Sequence, residues 1–120
     1  MTDHEKIPRI TIEELKNLMD RKADILIVDT HHRALYERKH IRGAISIPWA
    51  MLGIAWEDVQ KLPKDKDKPI ITYCDCGPGE SDSAEIASRL IQMGFTNVKV
   101  LADPSLKGWI EKAYPIETGA

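Results

Sequence analysis

Cysteine is nearly absent: the 120-residue chain has two, at Cys74 and Cys76. The disulfide framework of a small secreted protein needs more, spaced more widely. A bridge between residues two apart closes a very small ring. The sequence therefore predicts two thiols at rest, with a bond between them only during turnover. Cys-x-Cys with no nearby His is also too few ligands for zinc, and neither metal nor cofactor is expected. Charge of one sign is equally lacking, since 17 Lys and Arg face 19 Asp and Glu for a net charge of −2. That balance offers no general attraction to nucleic acid or to an anionic membrane. No apolar run is long enough to span a bilayer, and the polar start Met1-Thr2-Asp3-His4-Glu5-Lys6 is not a signal peptide, so a cytoplasmic location is expected. Repeats, low-complexity tracts and linkers are missing too.

What is present suits one soluble domain with a real core, at 42% hydrophobic and 30% charged residues. Thr11 and Glu14 have the spacing of a capping box, and Ile12, Leu15, Leu18 and Met19 mark one helical face behind it. The run at 24–29 is apolar between two acids and predicts a buried parallel strand ending at Asp29. A short helix is expected over 34–39, a short alternating strand over 43–48 and a helix over 50–62, the last weakened by Gly53. Residues 64–68 alternate Lys and Asp and read as a solvated turn. A second buried strand follows at 69–73 and a helix over 84–93, with Ile86, Ala87, Leu90 and Ile91 on one face and Gly94 at its end. A strand at 97–101 and a helix over 106–113 complete the chain. Alternating strands and helices predict an α/β domain with a mainly parallel sheet.

In such sheets ligands bind beyond the carboxyl ends of the strands, where Asp29 and Cys74 both fall. Cys74 opens the loop Asp75, Cys76, Gly77, Pro78, Gly79, Glu80, Ser81, Asp82, Ser83. Backbone amides and the dipole of the following helix stabilise a thiolate in such a place, so Cys74 is the candidate nucleophile. Ser81 and Ser83 are candidate helix N-caps whose hydroxyls reach towards the sulfur. Cys76 is a candidate resolving thiol. Asp29 and His40 read as structural residues bordering the site. His31, Arg33, Arg38, Lys39 and Arg42 form a basic stretch that reads first as a solvated face. Folded beside the loop, it would supply positive charge. Trp49, Trp56 and Trp109 read as core or rim packing.

Ile25-Leu26-Ile27-Val28-Asp29, Tyr36, and His40-Ile41-Arg42-Gly43-Ala44-Ile45-Ser46-Ile47-Pro48 resemble the first signature of the rhodanese family of single-domain sulfurtransferases. Tyr73-Cys74 with the loop and Ser83-Ala84 resembles its active segment, and Gly94-Phe95, Asn97-Val98 and Trp109 its closing segment. The resemblance runs over about 11–117. It implies a single rhodanese-like domain with a central five-stranded sheet and helices on both faces. It also implies that Cys74 accepts a sulfane sulfur, holds it as a persulfide and passes it to a thiol. The implied partners are a small-molecule or protein sulfur donor and a thiol acceptor, while the oligomeric state stays open.

Departures from the pattern concern the substrate. The loop is longer than the family's and holds Asp75, Glu80 and Asp82 where an Arg would suit a dianion such as thiosulfate. Three carboxylates near the thiol disfavour both the anionic donor and the thiolate, so weak thiosulfate activity is expected. Glu80 stands where related phosphatases carry the loop-closing Arg, which argues against phosphate chemistry. His31 replaces the signature Arg, Lys39 a Gly, and Pro104-Ser105 the Gly pair before Trp109. Two rival functions remain open: a rhodanese-like binding or sensing module, and a thiol–disulfide oxidoreductase using Cys74 and Cys76.

Overall fold

The computed structural model describes residues 4–75 and 77–119. The elements run β1 (Arg9–Ile10), α1 (Ile12–Asp20), β2 (Leu26–Asp29), α2 (Arg33–Arg38), β3 (His40–Ile41), β4 (Ile45–Ser46), α3 (Trp56–Val59), β5 (Ile70–Tyr73), α4 (Ser81–Gln92), β6 (Val98–Leu101), α5 (Ser105–Glu111) and β7 (Ile116–Glu117). Thr11 caps α1 as its spacing predicts. Its hydroxyl accepts from the Glu14 amide at 3.0 Å, and the Glu14 carboxylate accepts from the Thr11 amide at 3.0 Å.

Five strands form one parallel sheet in the order β1-β6-β5-β2-β4, with β5 at its centre. The five-stranded parallel sheet expected from the resemblance is therefore present. β3 and β7 pair separately and antiparallel. Each side of the sheet carries its own core. Ile27, Ile71, Tyr73 and Leu101 pack with Leu15 of α1, Tyr36 of α2 and Trp109 of α5. Val28, Ile70, Val98 and Val100 pack with Ala84, Ile86, Ala87 and Leu90 of α4. Each aliphatic side chain buried this completely contributes about 2 kcal/mol.

Successive side chains on a strand alternate between faces, and that parity positions Cys74. Ile71 and Tyr73 belong to one core while Ile70 belongs to the other. Thr72 also turns towards α4, where its hydroxyl donates to the Ser83 carbonyl at 2.9 Å. The next residue of that parity is Cys74. It lies where β2 and β5 run side by side and the chain leaves them on opposite faces, through α2 and α4 respectively. That is the switch point at which parallel sheets bind ligands.

Three elements differ from expectation. The helix expected over 50–62 shrinks to α3, because Gly53 takes φ +108, a left-handed angle that ends helical geometry. α4 begins at Ser81, three residues early. Trp109 is fully buried, but Trp49 and Trp56 are exposed beside Met51 and a fully exposed Leu52, so they are not core packing. No helix among the described residues is long and apolar enough to cross a membrane.

Candidate active site

Cys74 follows β5 directly and is 1% exposed. Its Sγ lies 3.3 Å from the Ser83 hydroxyl in the first turn of α4. Ser83 Oγ is also 3.2 Å from the Glu80 carbonyl, to which it donates. The Cys74 carbonyl accepts from the Leu106 amide at 3.5 Å, tying the strand end to the start of α5. Cys74 is disulfide-bonded in this structure, where the sequence predicts a resting thiol. Cys76, the candidate resolving thiol, lies outside the described residues.

The loop turns tightly before α4. Gly77 and Gly79 take φ +82 and +94, which side chains rarely adopt, and Glu80 follows at φ +48. The Glu80 amide donates to the Gly77 carbonyl at 3.1 Å, and the Glu80 carbonyl accepts from Ala84 at 2.8 Å. Glu80 is therefore the N-cap of α4 by backbone geometry, with no side-chain cap bond. Neither Ser81 nor Ser83 caps the helix. Ser81 and Pro78 are exposed, whereas Ser83 is buried against the sulfur.

Glu80 also departs from its expected role as an acid beside the thiol. One carboxylate oxygen accepts from Arg9 Nε at 2.9 Å and the other from the Asp103 amide at 2.9 Å. Arg9 further donates to the carbonyls of Gly79, Ile7 and His4. Glu80 is thus a clasp joining the loop to β1 and to the turn before α5. Its charge is matched by a guanidinium that sequence reasoning overlooked. No local signal marks Arg9, which is 71 residues away.

Asp29 is completely buried and structural. It accepts from the Tyr73 hydroxyl at 2.6 Å and from the His31 amide at 2.7 Å. The same phenol accepts from the Ile41 amide at 3.0 Å. Burial first, and the Asp29 charge second, push the Tyr73 phenol far above its usual range, so it stays neutral and donates. His31 Nδ1 sits 3.0 Å from Asp29 Oδ1, off the line of a good hydrogen bond. Burial opposes charge on His31, but Asp29 close by, with Asp75 and Asp82 beyond, more than offsets it and raises the imidazole's pKa.

His31 and the loop acids share a cleft of about 550 Å³. Arg38 and Lys39 at the end of α2 line it as well, with Leu106 and Ile110 of α5 as apolar surface. Part of the basic stretch does fold beside the loop. Arg33 instead pairs with the buried Asp58 at 2.9 Å. His40 and Arg42 do not line the cleft. The His40 ring stacks on Tyr36 with centroids 3.9 Å apart, and its Nδ1 bonds the Tyr36 carbonyl at 2.7 Å. Arg42 is exposed, with its amide on the Pro115 carbonyl. Leu106 and Ile110 are site residues that sequence reasoning missed, having only helical periodicity to mark them. No group of three or more His, Cys, Asp or Glu among the described residues is arranged to hold a metal ion.

Comparison with known proteins agrees with this geometry. Residues 11–112 match the family model of the rhodanese-like domain. The chain is 32% identical over 114 residues to the uncharacterized protein YibN of Escherichia coli strain K12, covering 95% of this chain and 75% of that one. It is 35% identical over 78 residues to thiosulfate sulfurtransferase GlpE of Coxiella burnetii, 65% of either chain. Among solved structures, the BH2092 protein from Bacillus halodurans superposes with a TM-score of 0.76 at 28% identity, covering 95% of this chain and 79% of that one. With a five-stranded parallel sheet, the signature residues on β2 and a cysteine at the end of β5, the chain belongs to the rhodanese-like domain family.

Proposed function

We propose that this protein is a sulfurtransferase in which Cys74 carries the sulfur. The observation that carries this reading is the position of Cys74 at the sheet's switch point, its Sγ 3.3 Å from the Ser83 hydroxyl at the start of a twelve-residue helix. Once reduced, the Cys74 thiolate attacks the outer sulfur of a donor. A sulfur–sulfur bond forms, the donor's own sulfur–sulfur bond breaks, and the leaving group departs with the electron pair. An acceptor thiolate then attacks the terminal sulfur of the persulfide and releases the Cys74 thiolate. The sequence involves no net oxidation and divides the transfer into two displacements. The helix N-terminus favours the anionic sulfur in each state, and the Ser83 hydroxyl joins it when its proton turns from the Glu80 carbonyl to the sulfur 3.3 Å away.

Thiosulfate, the substrate in the name of the Coxiella relative, suits this site poorly. Glu80 is neutralised by Arg9, yet Asp75 and Asp82 still line the cleft and repel a dianion. Intact mass of the reduced protein after exposure to a sulfur donor tests the reading. One added sulfur, absent in Cys74→Ser, is the expected result. No gain with thiosulfate or with a low-molecular-weight persulfide would overturn it and favour a binding module. The disulfide at Cys74 favours a second reading, thiol–disulfide exchange. Loss of two hydrogens from the reduced protein, without any gain of sulfur, would support that instead.

A further inference from the structure

The cleft beside Cys74 carries both signs of charge without pairing them. Arg38 and Lys39 line it from the end of α2, Asp75 and Asp82 from the loop and the first turn of α4. Neither cation is in an ion pair among the described residues. Asp82 accepts no hydrogen bond there, and Asp75 accepts one, from the Lys107 amide at 3.3 Å. Charges of opposite sign lining one cavity, yet too far apart to bridge each other, leave two unfilled and complementary positions. Leu106 and Ile110 add an apolar surface to the cleft. Asp75 is adjacent to Cys74 in sequence, and the Leu106 amide bonds the Cys74 carbonyl, so these positions lie next to the Cys74 backbone, while its sulfur is covered against Ser83.

A small dianion matches only the cationic side and is repelled by the other. A simple aminothiol or mercaptoacid matches one side each. A thiol bearing both an ammonium and a carboxylate matches both. We propose that the cleft selects a zwitterionic thiol, of the free amino-acid or short-peptide class, as the partner in sulfur transfer. Its carboxylate lies towards Arg38 and Lys39 and its ammonium towards Asp75 and Asp82. This assignment rests on the sulfur-transfer reading of Cys74. The volume of about 550 Å³ admits such a molecule.

Four thiols of graded charge supply the test: cysteine, cysteamine, 3-mercaptopropionate and 2-mercaptoethanol. Protein loaded with one sulfur on Cys74 is mixed with each, and discharge is followed by mass. Rates are divided by the thiolate fraction and by the rate with a small-molecule persulfide, which removes intrinsic nucleophilicity. Cysteine is expected to lead, with each missing charge costing about fivefold, the upper worth of a partly exposed ion pair. Arg38→Ala with Lys39→Ala should slow only the carboxylate-bearing thiols, and Asp75→Asn with Asp82→Asn only the ammonium-bearing ones. Equal normalised rates for all four, or variants that slow all four alike, would overturn the proposal. Unreactive analogues separate it from the reading beneath it. In Cys74→Ser, S-methylcysteine should shift the amide resonances of Asp75, Asp82 and Lys39 in an NMR titration, and 3-(methylthio)propionate should do so more weakly. Failure to load sulfur together with selective S-methylcysteine binding rejects the transfer chemistry and upholds the ligand class. Loading without selectivity does the reverse.

Discussion

Replacing Glu80 with Ala removes the clasp that holds the loop, and its cost follows from the hydrogen bonds that the carboxylate accepts. The Glu80 side chain is 9% exposed and Arg9 25%, so their 2.9 Å pairing is partly shielded from water. A hydrogen bond to a charged group in such a setting is worth roughly 1.5–3 kcal/mol, and a buried amide left unpaired costs roughly 1–3 kcal/mol. Arg9 keeps the carbonyls of His4 and Ile7, at 2.6 and 2.7 Å, which limits its own loss. The Asp103 amide loses its 2.9 Å carboxylate partner. Together these give about 2–4 kcal/mol for Glu80→Ala. At about 4 °C per kcal/mol for a domain of this size, the midpoint should fall by about 8–16 °C. The left-handed φ of +48 penalises Glu and Ala alike and cancels between them. Glycine escapes that penalty, about 1 kcal/mol, so Glu80→Gly should be more stable than Glu80→Ala by a similar amount. Urea unfolding of Glu80→Ala, Arg9→Ala and the double variant measures the pair directly, with a coupling of about 1–2 kcal/mol expected. A loss below about 0.5 kcal/mol in Glu80→Ala, or zero coupling, would refute the clasp.

Tyr73→Phe deletes a phenol that donates to Asp29 and accepts from Ile41, stranding a buried carboxylate oxygen and a buried amide. The expected loss is about 2–4 kcal/mol by urea unfolding. His31 has a raised pKa in the fold, so its contribution to stability is complete below the ordinary histidine value of about 6.5 and is lost as pH rises through the folded value. Stability attributable to His31 should therefore fall on going from mildly acidic to mildly alkaline pH. His31→Gln should flatten that part of the profile in urea midpoints measured across the range, and an unchanged slope would count against the assignment. Gly108→Ala should cost about 1–3 kcal/mol in thermal unfolding. Its new methyl would meet Pro104 Cγ at 2.3 Å and Ile12 Cδ1 at 3.2 Å, and the proline ring cannot swing aside.

The parts of the fold written in contiguous residues were legible. The apolar runs ending at Asp29 and Tyr73 became β2 and β5, the Thr11–Glu14 spacing became the cap of α1, and both strands end at one edge as expected. Parity along β5 then carries Cys74 to α4, so its place at the sheet edge was legible from strand ends alone. Among the two-residue strands, β4 was legible in the alternating run over 43–48, but β1, β3 and β7 were not. β1, β3 and β7 are strands only because distant partners, β6 for the first and each other for the last two, complete their ladders. Two residues cannot display a period. The loop after β4 failed for a different reason: Trp49 and Trp56 are hydrophobic by type yet exposed in place, and amino-acid type says nothing of what covers a side chain.

Charge was the least legible property, because a carboxylate's effect depends on where its side chain ends. Asp75, Glu80 and Asp82 are equivalent in sequence, three acids following a thiol. The fold divides them: Glu80 turns to Arg9 and the Asp103 amide, while Asp75 and Asp82 line the cleft with Arg38 and Lys39. A carboxylate paired with a guanidinium at 2.9 Å adds little net field a few ångströms away, since the two charges largely cancel. The loop therefore presents two uncompensated negative charges rather than three. The neighbouring helix end adds two positive ones, with His31 supplying a third at low pH. A site of that composition neither repels all anions nor attracts them generally. It discriminates by the arrangement of charge within the ligand, a property carried by the tertiary fold and by no single motif.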